Sequence, residues 1–183
     1  VYPYVFRVCF EDPYQGAAMA VYAKDTLKKT KAAVISDSSS DYAKGLSKAF
    51  QDKFKEKGGN IVTELNYQAK DTDFNVQLTK IKGMDFDVIY IPGYYNEVGL
   101  IIKQAREMGI TAVIAAGDTW ENATIIENAG ADAEGVVLST FFDEAAPAND
   151  EAASFIKGFK EYLVSIGEPD IIPAVSALGY DAY

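Results

Sequence analysis

Short apolar runs rich in β-branched residues alternate along the chain with longer stretches whose hydrophobic positions recur at helical spacing. Residues 31–36 (KAAVIS) read as a strand, and residues 41–57 then place Tyr42, Leu46, Ala49, Phe50 and Phe54 on one helical face. The pair Gly58-Gly59 ends that helix, because glycine accepts the left-handed conformation of a C-terminal cap. Residues 60–67 form the next strand, followed by a helix capped by Thr72 or Asp73 with Phe74, Leu78 and Ile81 inward. The alternation continues with a strand at 87–92 and a helix at 96–108, whose inner face is Val98, Ile101, Ile102, Ala105 and Met108. A strand at 111–116, a short helix at 121–128 and a fifth strand at 135–142 follow. A long helix at 150–166 has Phe155, Ile156, Phe159, Leu163 and Ile166 on its apolar side.

Near-continuous hydrophobic strands separated by helices imply a parallel sheet covered on both faces. Right-handed crossovers make it an α/β, doubly wound, mostly parallel five-stranded sheet in flavodoxin-like (Rossmann-like) order. The two ends follow a different pattern. Residues 4–10 (YVFRVCF) are an extra extended run leading to a helix from Pro13 to about Leu27. Residues 171–183 begin a helix, with Pro173 suited to its first turn, that stops in mid-pattern at Tyr183. A start at Val1 and a stop inside an apolar helix read as a piece of something larger.

Composition narrows the function classes. Of 183 residues, 49% are hydrophobic and 24% charged, which is globular composition. Seventeen Lys+Arg against 27 Asp+Glu give a net charge of −10, which disfavours nucleic acid and anionic membrane surfaces as partners. With no histidine and one cysteine, the chain has no His general base, no Ser–His or Cys–His pair and no Cys/His zinc site. Cys9 has no partner for an intrachain disulfide, and its apolar setting reads as buried. No stretch approaches the ~18 apolar residues of a membrane-spanning helix.

Ligands of open parallel sheets bind beyond the carboxyl ends of the strands. That rule selects the loops at 37–42, 68–71, 93–97 and 117–122, joined by the segment 11–15. The loop Ser38-Ser39-Ser40-Asp41-Tyr42 offers hydroxyls and backbone N–H groups to a carboxylate, or simply caps the helix that follows. Tyr42 faces either the ligand or the core. Gly93-Tyr94-Tyr95 sets two aromatics at a strand end. Asp118 stands where a carboxylate meets a ligand cation, or else caps the helix near Glu121, and Trp120 shares its loop. Enzyme templates fail: neither G-x-G-x-x-G nor G-x-x-x-x-G-K-[ST] occurs, and the third strand end reads Ile91-Pro92-Gly93 where a phosphoacceptor domain needs an aspartate. Aromatic surface and one carboxylate at a crevice are the equipment of a binding site; no cofactor and no metal is implied.

Several segments together resemble a known family. Phe6-Arg7 with Asp12-Pro13-Tyr14-Gln15-Gly16, Met19-Ala20 and Tyr22-Ala23 is similar to the segment entering the second lobe of type I periplasmic solute-binding proteins. The subgroup it resembles is the Leu/Ile/Val-binding receptors of ABC importers. Ala33-Val34-Ile35, Asp41-Tyr42-Ala43-Lys44-Gly45-Leu46, Gly93-Tyr94-Tyr95-Asn96-Glu97, Gln104-Ala105-Arg106, Ala133-Glu134-Gly135-Val136 and Ala177-Leu178-Gly179-Tyr180-Asp181-Ala182 extend the likeness over essentially the whole chain. The resemblance implies a second-lobe fragment: an entering segment and first helix at 1–30, the ligand-binding lobe at 31–170, and at 171–183 the start of a helix returning to a first lobe not contained here.

The resemblance further implies an amino acid or similar small zwitterion as ligand, with Tyr42 and Tyr94 as contacts and Asp118 pairing with the ligand's ammonium group. Asp12 would lie near the cleft, and Trp120 would fill or stack in the side-chain pocket. Asp118 is shorter by one methylene than the family's glutamate. The implied partner is the membrane permease/ATPase complex, the implied location periplasmic or extracellular, with a lipid anchor in the full-length protein as one form. The alternative of another class is a ligand-sensing regulatory domain of the same fold. Val5, Phe6, Val8, Phe10, Val175, Leu178, Tyr180 and Tyr183 would lack the cover of the first lobe, so self-association through these ends is expected.

Overall fold

The computed structural model describes Tyr4 and residues 6–183; Val5, within the expected extended run, lies outside the described residues. The chain forms two compact units, Glu11–Ser139 and a second that gathers the residues up to Phe10 with Thr140–Tyr183.

The first unit is built on five parallel strands, β1 (Lys31–Asp37), β2 (Asn60–Tyr67), β3 (Val88–Tyr90), β4 (Val113–Ala116) and β5 (Val137–Leu138), in the order β2-β1-β3-β4-β5. This is the doubly wound order that the alternation of runs predicts. Alternate residues of each strand serve opposite faces. Ala32, Val34, Val88, Tyr90 and Ala115 pack under α1 (Asp12–Val21) and α2 (Asp41–Glu56), whose inner side chains are Met19, Ala20, Leu46, Phe50 and Phe54. Ala33, Ile35, Ile89, Ile91, Ile114 and Ala116 face the other way. They pack with Leu78 and Ile81 of α3 (Asn75–Lys82), Val98 to Ala105 of α4 (Tyr95–Glu107) and Ile125 of α5 (Ala123–Ala129). Small alanines in the central strands let the helices sit close, and Phe50 stacks on Tyr90 at 4.1 Å between ring centres.

Three expectations need correction in this unit. The fifth strand spans two residues rather than eight. Its neighbour β4 ends at Ala116, opposite Leu138, so beyond one further bond from Ser139 N–H to Ala116 O no ladder remains to extend it. The first helix is α-helical only to Val21 and continues as a π-helical turn, Tyr22–Thr26, before Lys28 takes φ +57°. The cap of α3 is Phe74 by backbone position; Asp73 still serves the helix end, its Oδ1 accepting from Asn75 N–H at 2.9 Å.

In the second unit, α6 (Asp150–Ser165) begins at Asn149, whose Oδ1 accepts from Ala152 N–H at 2.8 Å, and α7 (Ala174–Ala182) begins after Pro173, which stands at the cap. Phe155 of α6 packs against Phe142, Phe159 and Tyr180, the last at 4.6 Å. Glu144 accepts from Lys160 Nζ and from Ile172 N–H, both at 3.0 Å, tying the loop to α6 and to the segment that leads into α7. The expected apolar side of α6 is only half-covered, and Ile166 is exposed. Residues 6–10 form no strand, and Cys9 is exposed, contrary to expectation: a strand-like run buries alternate side chains only when another strand pairs with it.

Candidate functional site

The carboxyl ends of β1, β3 and β4 bring three of the expected residues together. Tyr42 is the second residue of α2, which starts where Ser40 Oγ accepts from Ala43 N–H at 3.2 Å. Ser38 and Ser39 turn their hydroxyls to Tyr67 O and Asp37 Oδ1. Of the three serines only Ser40 caps the helix. The helix start aims the Tyr42 ring across the sheet end, and its hydroxyl donates to Asp118 Oδ1 at 2.7 Å.

Asp118 follows β4 and opens a 3₁₀ turn, Asp118–Trp120. It caps no helix: the cap of α5 is Asn122, whose Oδ1 accepts from Thr124 N–H. Its carboxylate is half-buried and takes a second hydrogen bond at Oδ1, from Gln15 Nε2 of α1 at 2.7 Å. Burial, and then the bond to Asp118, push the Tyr42 hydroxyl well above its ordinary pKa, so Tyr42 stays a neutral donor. Tyr94 closes the group from the loop after β3. It is 40% exposed and its ring lies 5.6 Å from that of Tyr42. Thr119 Oγ1 donates to Gly93 O at 2.6 Å and so ties the Asp118 turn to the Tyr94 loop.

Two glycines make these approaches sterically open. A Cβ on Gly117 would stand 2.5 Å from the Tyr42 hydroxyl oxygen, and one on Gly93 would stand 1.9 Å from that of Tyr67. Beneath the group the buried hydroxyls of Tyr67 and Tyr90 have no hydrogen-bond partner among the described residues.

Trp120 departs from the stacking role that the resemblance implied. A 3₁₀ turn rotates successive side chains by about 120°. With Asp118 facing the strand ends, Trp120 turns inward, is 2% exposed and packs in the core, its Nε1 without a partner among the described residues. Asp12, the first residue of α1, is half-buried and takes no part in the bonds that join Gln15, Tyr42 and Asp118. The sequence marks Gln15 only as the last residue of the segment 11–15. A glutamine on an amphipathic helix reads as a surface residue, and the available signal was the glycine beside it: a Cβ on Gly16 would meet Leu46 O at 2.6 Å, so α1 lies close on α2 and its polar residue is carried inside. A cavity of about 450 Å³ between α2 and β2, lined by Ser38, Lys44, Gln51 and Asn66 among others, is separate: Gln15, Tyr42, Tyr94 and Asp118 do not line it.

This chain is similar to known proteins in sequence and in fold. The chain is 34% identical over 159 residues to the Leu/Ile/Val-binding protein homolog 3 of Brucella melitensis, and 31% identical over 162 residues to the leucine-specific-binding protein of Salmonella typhimurium. These matches cover 85% and 87% of this chain and 42% and 43% of those proteins. Among solved structures, a leucine binding protein from Thermotoga maritima superposes with a TM-score of 0.89 at 41% identity, over 97% of this chain and 49% of that one. A branched-chain amino acid transporter substrate binding protein from Streptococcus pneumoniae, in complex with isoleucine, superposes with a TM-score of 0.86 at 36% identity, over 98% and 49%. The chain thus spans about half the length of these proteins or less. Residues 1–183 match the family described as periplasmic binding protein, with the parallel sheet order and a strand-end carboxylate flanked by tyrosines already in view, and the chain belongs to that family.

Proposed function

We propose that the chain is the ligand-binding second lobe of a solute-binding receptor of an ABC importer, and that its ligand is an amino acid with an aliphatic, branched side chain. The observation that carries this reading is the carboxylate of Asp118, half-buried at the sheet's carboxyl edge between Tyr42 and Tyr94. A carboxylate in a partly dry setting favours a compact cation, and the aromatic rings offer apolar contact to the rest of a small zwitterion. The names of the relatives, all binding proteins, support a receptor rather than an enzyme. A receptor of this kind works in the periplasm or at the cell surface, free or lipid-anchored, and hands its ligand to a permease/ATPase complex in the membrane. The exposed apolar residues Phe6, Val8 and Val175 favour self-association of the chain when it is not covered by another lobe.

The test is mass spectrometry of small molecules that co-purify with the full-length protein, followed by titration calorimetry with L-leucine, L-isoleucine and L-valine. Asp118→Asn should weaken binding by about 2–5 kcal/mol, because the desolvated ammonium loses its counter-charge. Equal affinities for the variant and its parent would remove Asp118 from the site.

A further inference from the structure

Gln15 has the properties of a residue built into the site rather than beside it. It is 2% exposed, and its amide nitrogen donates to Asp118 Oδ1 across 103 positions of sequence. The Tyr42 hydroxyl donates to that same oxygen, also at 2.7 Å, and stands 3.4 Å from Gln15 Oε1. Among the described residues no hydrogen bond reaches Asp118 Oδ2. The packing that allows this is specific. Gly16 lets α1 close on the backbone of α2 at Leu46, and Gly117 leaves room for the Tyr42 hydroxyl and, at 3.2 Å from where its Cβ would stand, for Gln15 Oε1.

We infer that Gln15 is a positioning residue of the binding site: with Tyr42 it saturates Oδ1 of Asp118 and so presents Oδ2 as the acceptor for the ligand's ammonium group. This rests on the reading of Asp118 as the ammonium acceptor. It also narrows the ligand's chemistry. A carboxylate with one oxygen already taken by two donors accepts a single N–H of a primary ammonium group, whereas a guanidinium pairs best with both oxygens at once. Without Gln15, Asp118 keeps only the Tyr42 donor, so its carboxylate is held at one point rather than two and the ammonium meets a less fixed acceptor.

The experiment is titration of the full-length protein with L-leucine and with 4-methylpentanoate, which is leucine without its amino group. Gln15→Met keeps the volume and removes the donor. It should raise the Kd for leucine by about 10- to 100-fold, the effect of one hydrogen bond to a charged group. The Kd for 4-methylpentanoate should stay within about twofold, since that ligand does not use Asp118. In an Asp118→Asn background the Gln15→Met effect on leucine should vanish. An equal loss for both ligands, or an undiminished Gln15→Met effect in the Asp118→Asn background, would overturn the inference. If Gln15→Met lacks native circular dichroism, Gln15→Asn, too short to reach Asp118, makes the same comparison. A parent protein that binds leucine no better than 4-methylpentanoate would fail the ammonium reading itself. A parent that prefers leucine, with a Gln15→Met variant that prefers it just as much, would fail the role of Gln15 alone.

Discussion

Gly93→Ala is the most informative single change in the lobe, because its cost is set by one contact. The new methyl would stand 1.9 Å from the Tyr67 hydroxyl oxygen and 3.2 Å from the ring carbon that bears it. An ordinary contact is about 3.5 Å, so the phenol or the β3 loop must move by more than 1 Å. Neither has much freedom. Tyr67 is buried at the end of β2 with its ring edge-on to Phe74 at 5.4 Å, and Gly93 O holds Thr119 Oγ1. Overpacking of this kind costs about 1–3 kcal/mol, and the rigidity of both partners places Gly93→Ala near the upper end. Tyr67→Phe alone removes a buried hydroxyl that has no partner among the described residues, so it should be neutral or slightly stabilising. In the double variant only the 3.2 Å approach remains, which a few tenths of an ångström relieve. The pair should therefore recover about 2 kcal/mol relative to the sum of the singles. Urea denaturation followed by circular dichroism, with all four proteins at one pH, measures this coupling. Additive effects within about 0.5 kcal/mol would refute the contact as the origin of the cost.

Four further outcomes follow from the same structure. Burial raises the pKa of the Tyr42, Tyr67 and Tyr90 hydroxyls, so the folded state keeps protons that the unfolded chain releases. Their contribution is therefore whole below about pH 10 and should fall above it, by up to about 1.4 kcal/mol per pH unit for each tyrosine. Urea midpoints from pH 8 to 11 check this, and a flat profile would contradict it. Ser40→Ala should cost about 1 kcal/mol through loss of the α2 cap, read from the same midpoints, with Ser39→Ala as the comparison at a neighbouring hydroxyl. Cys9 should react with a thiol reagent in the native protein as fast as in urea, whereas slow native labelling would mean it is covered. Titration calorimetry of this chain alone should give a leucine Kd of about 1 mM or weaker, since a single lobe leaves most of the ligand in water; micromolar binding would argue against a two-lobed site.

The sheet order was legible because β1, β3 and β4 are short apolar runs bounded by polar or glycine-bearing turns, and the more polar β2 spans the expected residues, Asn60–Tyr67. The fifth strand was not, because Gly135 to Phe142 is uniformly strand-like and the end of its partner β4 is invisible in its own residues. At the site, Tyr42, Tyr94 and Asp118 stand at loop positions that the parallel sheet dictates, so the topology and the resemblance reach them by separate routes. Trp120 misled because a loop position does not reveal which way a 3₁₀ turn rotates its third side chain. Gln15 was hidden for a different reason: its burial depends on how closely two helices cross, and that is recorded only in the absence of a side chain at Gly16.

That three segments meet at one carboxylate oxygen has a consequence for anyone who would retune this lobe. Exchanging Asp118 for an apolar residue, the obvious route to a ligand without an amino group, would leave the buried Gln15 amide and the half-buried Tyr42 hydroxyl without their acceptor. Each abandoned donor costs about 1–3 kcal/mol, enough together to cancel what a better-matched pocket gains. A workable redesign changes positions 15, 42 and 118 as a set and can then admit a side chain at 117, where the space reserved for the polar cluster would stand empty.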